Sequence, residues 1–187
     1  MSAQAQIQEA ADGVESLDIL INNAGVSVAD DLSDRSAFEQ HLAVNLYGTL
    51  DVTRAFLPLL TRSRGAVVNI VSLGAVAAVP VLPAYSVSKA ASLSLTQSLR
   101  ALLAGRGVSV YAVMPGPIDT DMVRDLDIPK TPPEDVARGT LDGVERGEEE
   151  IFPDAMSQSL ADGWRAGVAK EFERRNAALV AAEPIAA

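Results

Sequence analysis

The sequence predicts an α/β protein built on a parallel sheet, because two kinds of segment alternate along its 187 residues. Short runs rich in β-branched residues, each bounded by Gly, Ser or Pro, are typical of fully buried strands and occupy 17–22, 66–71 and 108–114. Longer stretches with helical periodicity separate these runs. Strands that alternate with helices pair in parallel through right-handed crossovers, so a layered sheet follows.

The other elements extend the same alternation in chain order. A helix is predicted before the first strand, and two more lie between the strands, over 3–14, 36–60 and 84–103. Thr131-Pro132-Pro133-Glu134 predicts a helix start with Thr131 as N-cap and Glu134 closing a capping box. A short strand near 150–153 and a helix over 155–180 follow. We therefore predict a single domain over 1–187, with a helical C-terminal tail over 155–187.

Composition narrows the functions this chain can have. Fifteen Lys and Arg against 25 Asp and Glu give a net charge of −10, which leaves no basic surface for DNA or RNA. With no cysteine and one histidine, we expect no metal site and no thiol chemistry. No secretory signal is visible, so a cytoplasmic location is predicted. A membrane span over the uncharged stretch 65–88 fits poorly, because Pro80 and Pro83 interrupt it.

The most specific local feature is Tyr85-x-x-x-Lys89, near the start of a predicted helix. A spacing of four places both side chains on one helix face. A cation beside a phenol favours the phenolate, which would let Tyr85 act as acid or base near neutral pH. On its own, such a pair is most often a packed ring beside a solvated amine, so context must decide.

That context is supplied by the predicted carboxyl ends of the strands, where catalytic groups gather in parallel α/β sheets. Ser72 ends the second strand, Asn22-Asn23-Ala24-Gly25 ends the first, and Pro115-Gly116-Pro117-Ile118-Asp119-Thr120 follows the third. Asn45 lies inside a predicted helix. Each feature singly could be an ordinary strand end or turn, but together they favour a catalytic site.

These features together resemble the catalytic half of the classical short-chain dehydrogenase/reductase family, from about residue 17 to 122 and more weakly to 153. The resemblance implies a Rossmann-like, doubly wound parallel sheet and hydride transfer between NAD or NADP and a small-molecule carbonyl or alcohol. By this resemblance Tyr85 is the general acid/base and Ser72 polarises the substrate oxygen. Lys89 would lower the pKa of Tyr85 and bind the nicotinamide ribose, while Asn45 would anchor a water of the proton relay.

The resemblance also implies a cofactor site and a partner. The residues implied to bind the cofactor lie beside the nicotinamide half and are Asn22, Ala24, Gly25, Lys89, Pro115, Gly116, Ile118 and Thr120. The helices that hold Asn45 and Tyr85 commonly form a dimer in the family, so a homo-oligomer is expected. His41 has no role in the family's chemistry, and we predict that it lies at the surface or in an interface.

One part of the family's pattern is missing from this sequence. There is no Thr-Gly-x-x-x-Gly-x-Gly turn of the kind that holds the cofactor pyrophosphate, and Gly105-Arg106-Gly107 lies between a helix and a strand in the wrong order. The strand at 17–22 corresponds to the family's fourth. We therefore expect an N-terminally truncated chain, an incomplete sheet without its first three strands, an open edge at 17–22, and weak or no NAD(P) binding. A non-catalytic remnant that acts through association is the alternative; the intact Ser72, Tyr85 and Lys89 favour the enzyme.

Overall fold

The structure is a computed structural model that describes residues 3–182. Its sheet has four parallel strands in the order β1-β2-β3-β4, formed by Ile19–Asn22, Ala66–Ile70, Ser109–Val113 and Glu150–Ile151. The predicted parallel α/β architecture is confirmed. The register places Asn22 beside Asn69 at the carboxyl end of the first pair, which sets the level at which the loops leave the sheet.

Seven α-helices connect and cover these strands within the described residues. They are α1 (Ala3–Asp12), α2 (Arg35–Leu42), α3 (Thr49–Ser63), α4 (Pro83–Ala104), α5 (Pro133–Glu145), α6 (Ala155–Arg165) and α7 (Val168–Ala182). The single helix predicted over 36–60 is continuous, but a π-helical segment, Ala43–Gly48, separates α2 from α3. The predicted tail helix is divided into α6 and α7; residues 183–187 of that tail lie outside the described residues.

The predicted start of α5 was wrong in one detail. The N-cap is Pro132, and no side chain caps the helix. Thr131 is engaged elsewhere, because its N–H donates to the Pro117 carbonyl and its own carbonyl accepts from the Asp119 N–H, each at 2.9 Å. This backbone pairing fixes the segment after β3 against the start of α5.

Apolar side chains cover both faces of the sheet, as a layered α/β fold requires. Val67 and Val110 pack with Leu60 of α3 and with α4. On the other face, Val68 packs with residues of β3, β4 and α5. Gly143 lets α5 approach β4 closely, since a Cβ there would lie 2.6 Å from the side chain of Ile151.

Strand β1 forms one edge of the sheet. Within the described residues it pairs with β2 alone, and Ile19 and Ile21 remain 41% and 47% exposed. The open edge expected at 17–22 is confirmed. None of the helices between residues 3 and 182 combines the length and the apolarity needed to cross a bilayer.

A buried ionic cluster fastens α7 to the rest of the fold. Lys170 is 1% exposed, and its Nζ lies 2.8 Å from a carboxylate oxygen of each of Glu149, Glu150 and Glu173. Arg100 of α4 pairs with Glu150 at 2.8 Å and with Glu173 at 2.5 Å. The cluster therefore joins α4, β4 and α7.

Candidate active site

The site forms where β2 ends and α4 begins. Ser72 follows β2 after one intervening residue, and its Oγ accepts a hydrogen bond from the Gly74 N–H at 3.0 Å. The side chain of Tyr85, in the first turn of α4, lies beside that of Ser72, because a Cβ at Gly74 would be 3.4 Å from Ser72 Oγ and 3.7 Å from Tyr85 Cε1. The Leu73 N–H donates to the Pro115 carbonyl at 3.1 Å, which joins this corner to the loop after β3. Two strand ends and one helix start therefore meet at the phenol.

Burial controls the protonation of Tyr85. It raises the pKa of the phenol above its ordinary value, and the hydrogen bond with Ser72 opposes that shift. The resemblance implied the opposite direction, with Lys89 lowering this pKa. In the structure the Lys89 Nζ lies 5.7 Å from the centroid of the Tyr85 ring, and the raised direction of the pKa follows from desolvation by the surrounding protein.

Lys89 lies one helical turn beyond Tyr85 and is 6% exposed. Its Nζ donates to the Ile70 carbonyl at 2.9 Å, which uses one of the three donors of an ammonium group. Burial lowers the pKa of Lys89 to about 8. The amine is therefore still mostly protonated at neutral pH, with donor capacity left beside the phenol.

Asn45 connects the first loop of the site to α4. Its Oδ1 accepts from the Val26 N–H at 2.9 Å, and its Nδ2 donates to the Val26 carbonyl at 3.0 Å and to Ser88 Oγ at 2.9 Å. The Asn45 carbonyl accepts from Ser92 Oγ at 2.7 Å. The residue lies in the π-helical segment, a distortion that is frequent at functional sites.

Gly25 keeps the space beside the amine open. A Cβ at this position would lie 3.3 Å from Asn45 Oδ1 and 3.6 Å from Lys89 Nζ. A flat or hydroxylated group could approach both side chains only because this Cβ is missing. The corner therefore has room for such a group beside the Lys89 amine, which the sequence predicted as a cofactor-binding residue.

The other candidate cofactor residues are placed less directly. Ala24 is exposed beside Gly25. The Asn22 side chain faces the scaffold, since its Nδ2 donates to Thr53 Oγ1 at 3.0 Å and to Asn69 Oδ1 at 2.8 Å. Only the backbone of Asn22 is therefore left to form a cofactor wall.

The loop after β3 is held mainly through its backbone. Pro115 is buried, and the Gly116 N–H donates to Asp154 Oδ2 at 2.9 Å. Ile118 pairs with Thr131, and the exposed Thr120 donates its hydroxyl to the Ile118 carbonyl at 3.3 Å. The structure thus brings Ser72, Tyr85, Lys89, Asn45 and Gly25 into one corner, whereas Thr120 lies in an exposed turn.

Sequence reasoning missed the role of Asp154. This buried carboxylate accepts the Gly116 N–H, and it also forms a capping box with Ser157 at the start of α6. An acidic N-cap residue three positions before Ser157 was a readable signal for the cap. The contact with Gly116 had no local signal, because the two residues are 38 apart in the chain.

The prediction for His41 was wrong. Its ring is fully buried rather than at the surface, with Nδ1 2.7 Å from the Ala37 carbonyl and Nε2 3.0 Å from the Val28 N–H. Its ring also meets the Tyr85 ring edge-on, with centroids 6.4 Å apart. The loop that follows β1 folds over α2 and covers the histidine, which helix periodicity alone does not predict.

Comparison with known proteins decides the family. The family model described as short chain dehydrogenase matches residues 1–130, which is more than half of the chain. The chain belongs to the short-chain dehydrogenase family.

Several solved structures and curated proteins of this family are similar to this short-chain dehydrogenase. A short-chain dehydrogenase from Burkholderia cenocepacia, solved in complex with NADP, is 36% identical with a TM-score of 0.82, over 92% of this chain and 76% of that one. The 2-(S)-hydroxypropyl-CoM dehydrogenase 3 of Xanthobacter autotrophicus is 38% identical over 72% of this chain and 54% of that protein. Mouse estradiol 17-beta-dehydrogenase 2 is 37% identical over 58% of this chain and 29% of that protein. The chain thus spans about half or less of the length of these two curated relatives.

Proposed function

We propose that this short-chain dehydrogenase is an NAD(P)-dependent oxidoreductase that interconverts a carbonyl and an alcohol in a small molecule. The observation that carries the proposal is that the Ser72 and Tyr85 side chains meet beside Gly74, where a Cβ would lie 3.4 Å from Ser72 Oγ and 3.7 Å from Tyr85 Cε1. The buried amine of Lys89 lies one turn further along α4. This arrangement presents two hydroxyl groups to one substrate oxygen, next to a cation.

In the direction of carbonyl reduction, NAD(P)H held beside Lys89 and Gly25 would supply the hydride that the carbonyl carbon takes up. Tyr85 donates its phenolic proton to the carbonyl oxygen, while Ser72 donates a hydrogen bond to the same oxygen. The raised pKa of Tyr85 keeps the phenol protonated at neutral pH, which suits a general acid. Lys89 remains cationic there and stabilises the phenolate left after proton transfer. Asn45 holds the Val26 backbone and would anchor a water that continues the proton relay.

The cofactor's nicotinamide half would be held by this corner. Lys89 would donate to the ribose hydroxyls in the space that Gly25 leaves open. Ile118 and Thr120 would hold the carboxamide, and the backbone of Asn22 and Ala24 would form the wall, with Pro115 and Gly116 shaping the facing loop. Two solved relatives carry NADP and NADPH, which favours a nicotinamide dinucleotide without choosing between NAD and NADP here.

A second copy of the chain is the proposed partner. The helices that carry Asn45 and Tyr85 lie next to one another, joined by the hydrogen bonds from Asn45 to Ser88 and from Ser92 to Asn45. Their shared outer surface would form the contact in a homo-oligomer. Sedimentation of the purified chain at several concentrations tests this.

Titration with NADH and NADPH, followed by turnover with a panel of ketones and secondary alcohols, tests the proposed activity. Tyr85→Phe should lower kcat by about 10²–10⁴-fold without changing the circular dichroism spectrum, because it removes only the exchangeable proton. The matched control is Tyr47→Phe, which removes the same atom from an exposed ring and should leave kcat unchanged. Equal turnover by Tyr85→Phe and the unchanged chain would reject the acid/base role. A chain that binds neither nucleotide saturably would instead favour the non-catalytic alternative.

A further inference from the structure

We propose that His41 is a positioning residue for this site: its neutral ring holds the loop over residues 26–30 in place and packs against the phenol of Tyr85. An effect of His41 on catalysis rests on the proposed function. The contacts of its ring with the loop and with Tyr85 do not depend on that function.

The partners of the ring determine where its proton lies. The Ala37 carbonyl, 2.7 Å from Nδ1, can only accept a hydrogen bond, so Nδ1 must carry the hydrogen. The Val28 N–H, 3.0 Å from Nε2, can only donate, so Nε2 must present its lone pair. One neutral tautomer satisfies both contacts. A doubly protonated ring would turn an N–H against the N–H of Val28.

Three side chains hold this loop at successive positions. Asn45 binds both the N–H and the carbonyl of Val26, and His41, one helical turn earlier, accepts from Val28. Asp30 then accepts the Ala84 N–H at 3.3 Å, at the start of α4. The loop therefore runs from the end of β1 to the helix that carries Tyr85, and His41 holds its middle.

The same ring shields the catalytic phenol. The His41 and Tyr85 rings meet edge-on at an interplanar angle of 75°, with centroids 6.4 Å apart. Because desolvation is the main cause of the raised Tyr85 pKa, a group that covers the phenol contributes to its protonation state. His41 can thus act on both the position and the pKa of Tyr85 without touching a substrate.

The chain has a single histidine, so one ring signal reports on His41 in protein that carries no histidine tag. Nitrogen-15 NMR of the labelled ring should show hydrogen on Nδ1 and none on Nε2. His41→Gln keeps an oxygen acceptor within reach of Val28, whereas His41→Leu fills similar space without an acceptor. We expect the Val28 amide to exchange at least about tenfold faster in His41→Leu and within about threefold of the unchanged chain in His41→Gln. The amide of Val68, in a central strand, is the internal control and should exchange equally in all three proteins.

A carbon-13 label on the tyrosine rings adds a readout that a purely structural role would not change. The pKa of Tyr85 should fall towards its ordinary value in His41→Ala, which removes the ring that covers the phenol, while the ring signal of the exposed Tyr47 stays unchanged. Hydrogen on Nε2 in the unchanged chain, equal Val28 exchange in the unchanged chain, His41→Gln and His41→Leu, or an unchanged Tyr85 pKa in His41→Ala would each overturn the proposal. The tautomer of His41 is measured on the unchanged chain, so this measurement tests the proposal even if His41→Leu fails to fold. Lack of cofactor turnover in the unchanged chain would overturn the proposed function, while the ring and amide measurements would still decide whether His41 holds the loop.

Discussion

Burial of the Lys89 amine predicts that the free energy of unfolding rises with pH, and that Lys89→Met removes this rise. The pKa of Lys89 falls from 10.5 to about 8 because the folded chain desolvates the amine. In the window between these values the unfolded chain binds more protons than the folded chain does, so stability increases with pH there. Below about pH 8 the amine is protonated in both states, and burying its charge lowers the free energy of unfolding by the full amount.

The size of the effect follows from the shift. The ordinary pKa of Lys89, 10.5, and its pKa of about 8 in the folded chain differ by about 2.5. This difference lowers the free energy of unfolding by about 3 kcal/mol near neutral pH. At about pH 9.5 the folded amine is neutral and this lowering has fallen to about 1 kcal/mol, a gain of about 2 kcal/mol over about pH 7. The 6% exposure of the residue leaves little solvent to reduce this figure. Tyr85 does not interfere, because its pKa is raised from 10.0 and its contribution is lost only above that value.

Urea denaturation of the full chain and of Lys89→Met at about pH 7 and about pH 9.5 gives the change in stability of each protein between the two pH values. The difference between these two changes cancels the contribution of titrating groups that do not interact with Lys89. Methionine keeps the length and apolar stem of the side chain but has no amine. The loss of the bond to Ile70 changes the absolute stability of the variant and not its dependence on pH. If both proteins gained or lost the same stability between the two pH values, burial would not control the protonation of Lys89.

Three further predictions concern the scaffold. Lys170→Ala should lower the free energy of unfolding, measured in urea, by about 3–5 kcal/mol, because it leaves Glu150 buried with one partner fewer. A loss below about 1 kcal/mol would show that the ionic cluster does not stabilise the fold. Asp154→Ala should cost about 1–2 kcal/mol as a lost helix cap and should speed amide exchange at Gly116, and unchanged exchange there would reject the contact. Ile21→Lys should reduce light scattering from concentrated protein and change stability by no more than about 0.5 kcal/mol, because it places a charge on an exposed strand edge; equal scattering would show that β1 does not mediate association.

Where local chemistry dominates, the sequence predicted the fold closely. Strands β2 and β3 were each located to within a residue or two, because runs such as Ala66–Ile70 are mainly apolar and bounded by glycine or serine. The π-helical segment Ala43–Gly48 was not predicted, since a shift of one residue in the hydrogen-bond ladder leaves the apolar pattern nearly intact. The prediction of Thr131 as an N-cap failed for a different reason. A segment more than ten residues earlier in the chain forms hydrogen bonds with the backbone N–H and carbonyl of Thr131.

The candidate site shows the same division. That Ser72, Tyr85 and Lys89 come together could be predicted, because helix spacing and the shared edge of parallel strands both follow from sequence order. The direction of the Tyr85 pKa could not, because it depends on how much protein covers the ring. His41 contributes to that cover, and it is held there by a loop whose path no local pattern encodes.

Buried polar side chains hold the backbone of the loops on both sides of the phenol. His41 binds the N–H of Val28 and Asp154 binds the N–H of Gly116, each from a helix or helix cap packed on the sheet. A ligand that enters beside Tyr85 therefore meets loops whose amides are already positioned, so little binding free energy is spent on ordering them. It follows that substitutions at these two residues should weaken cofactor or substrate use through loop order, whereas those at Ser72 and Tyr85 should act on the proton transfer itself.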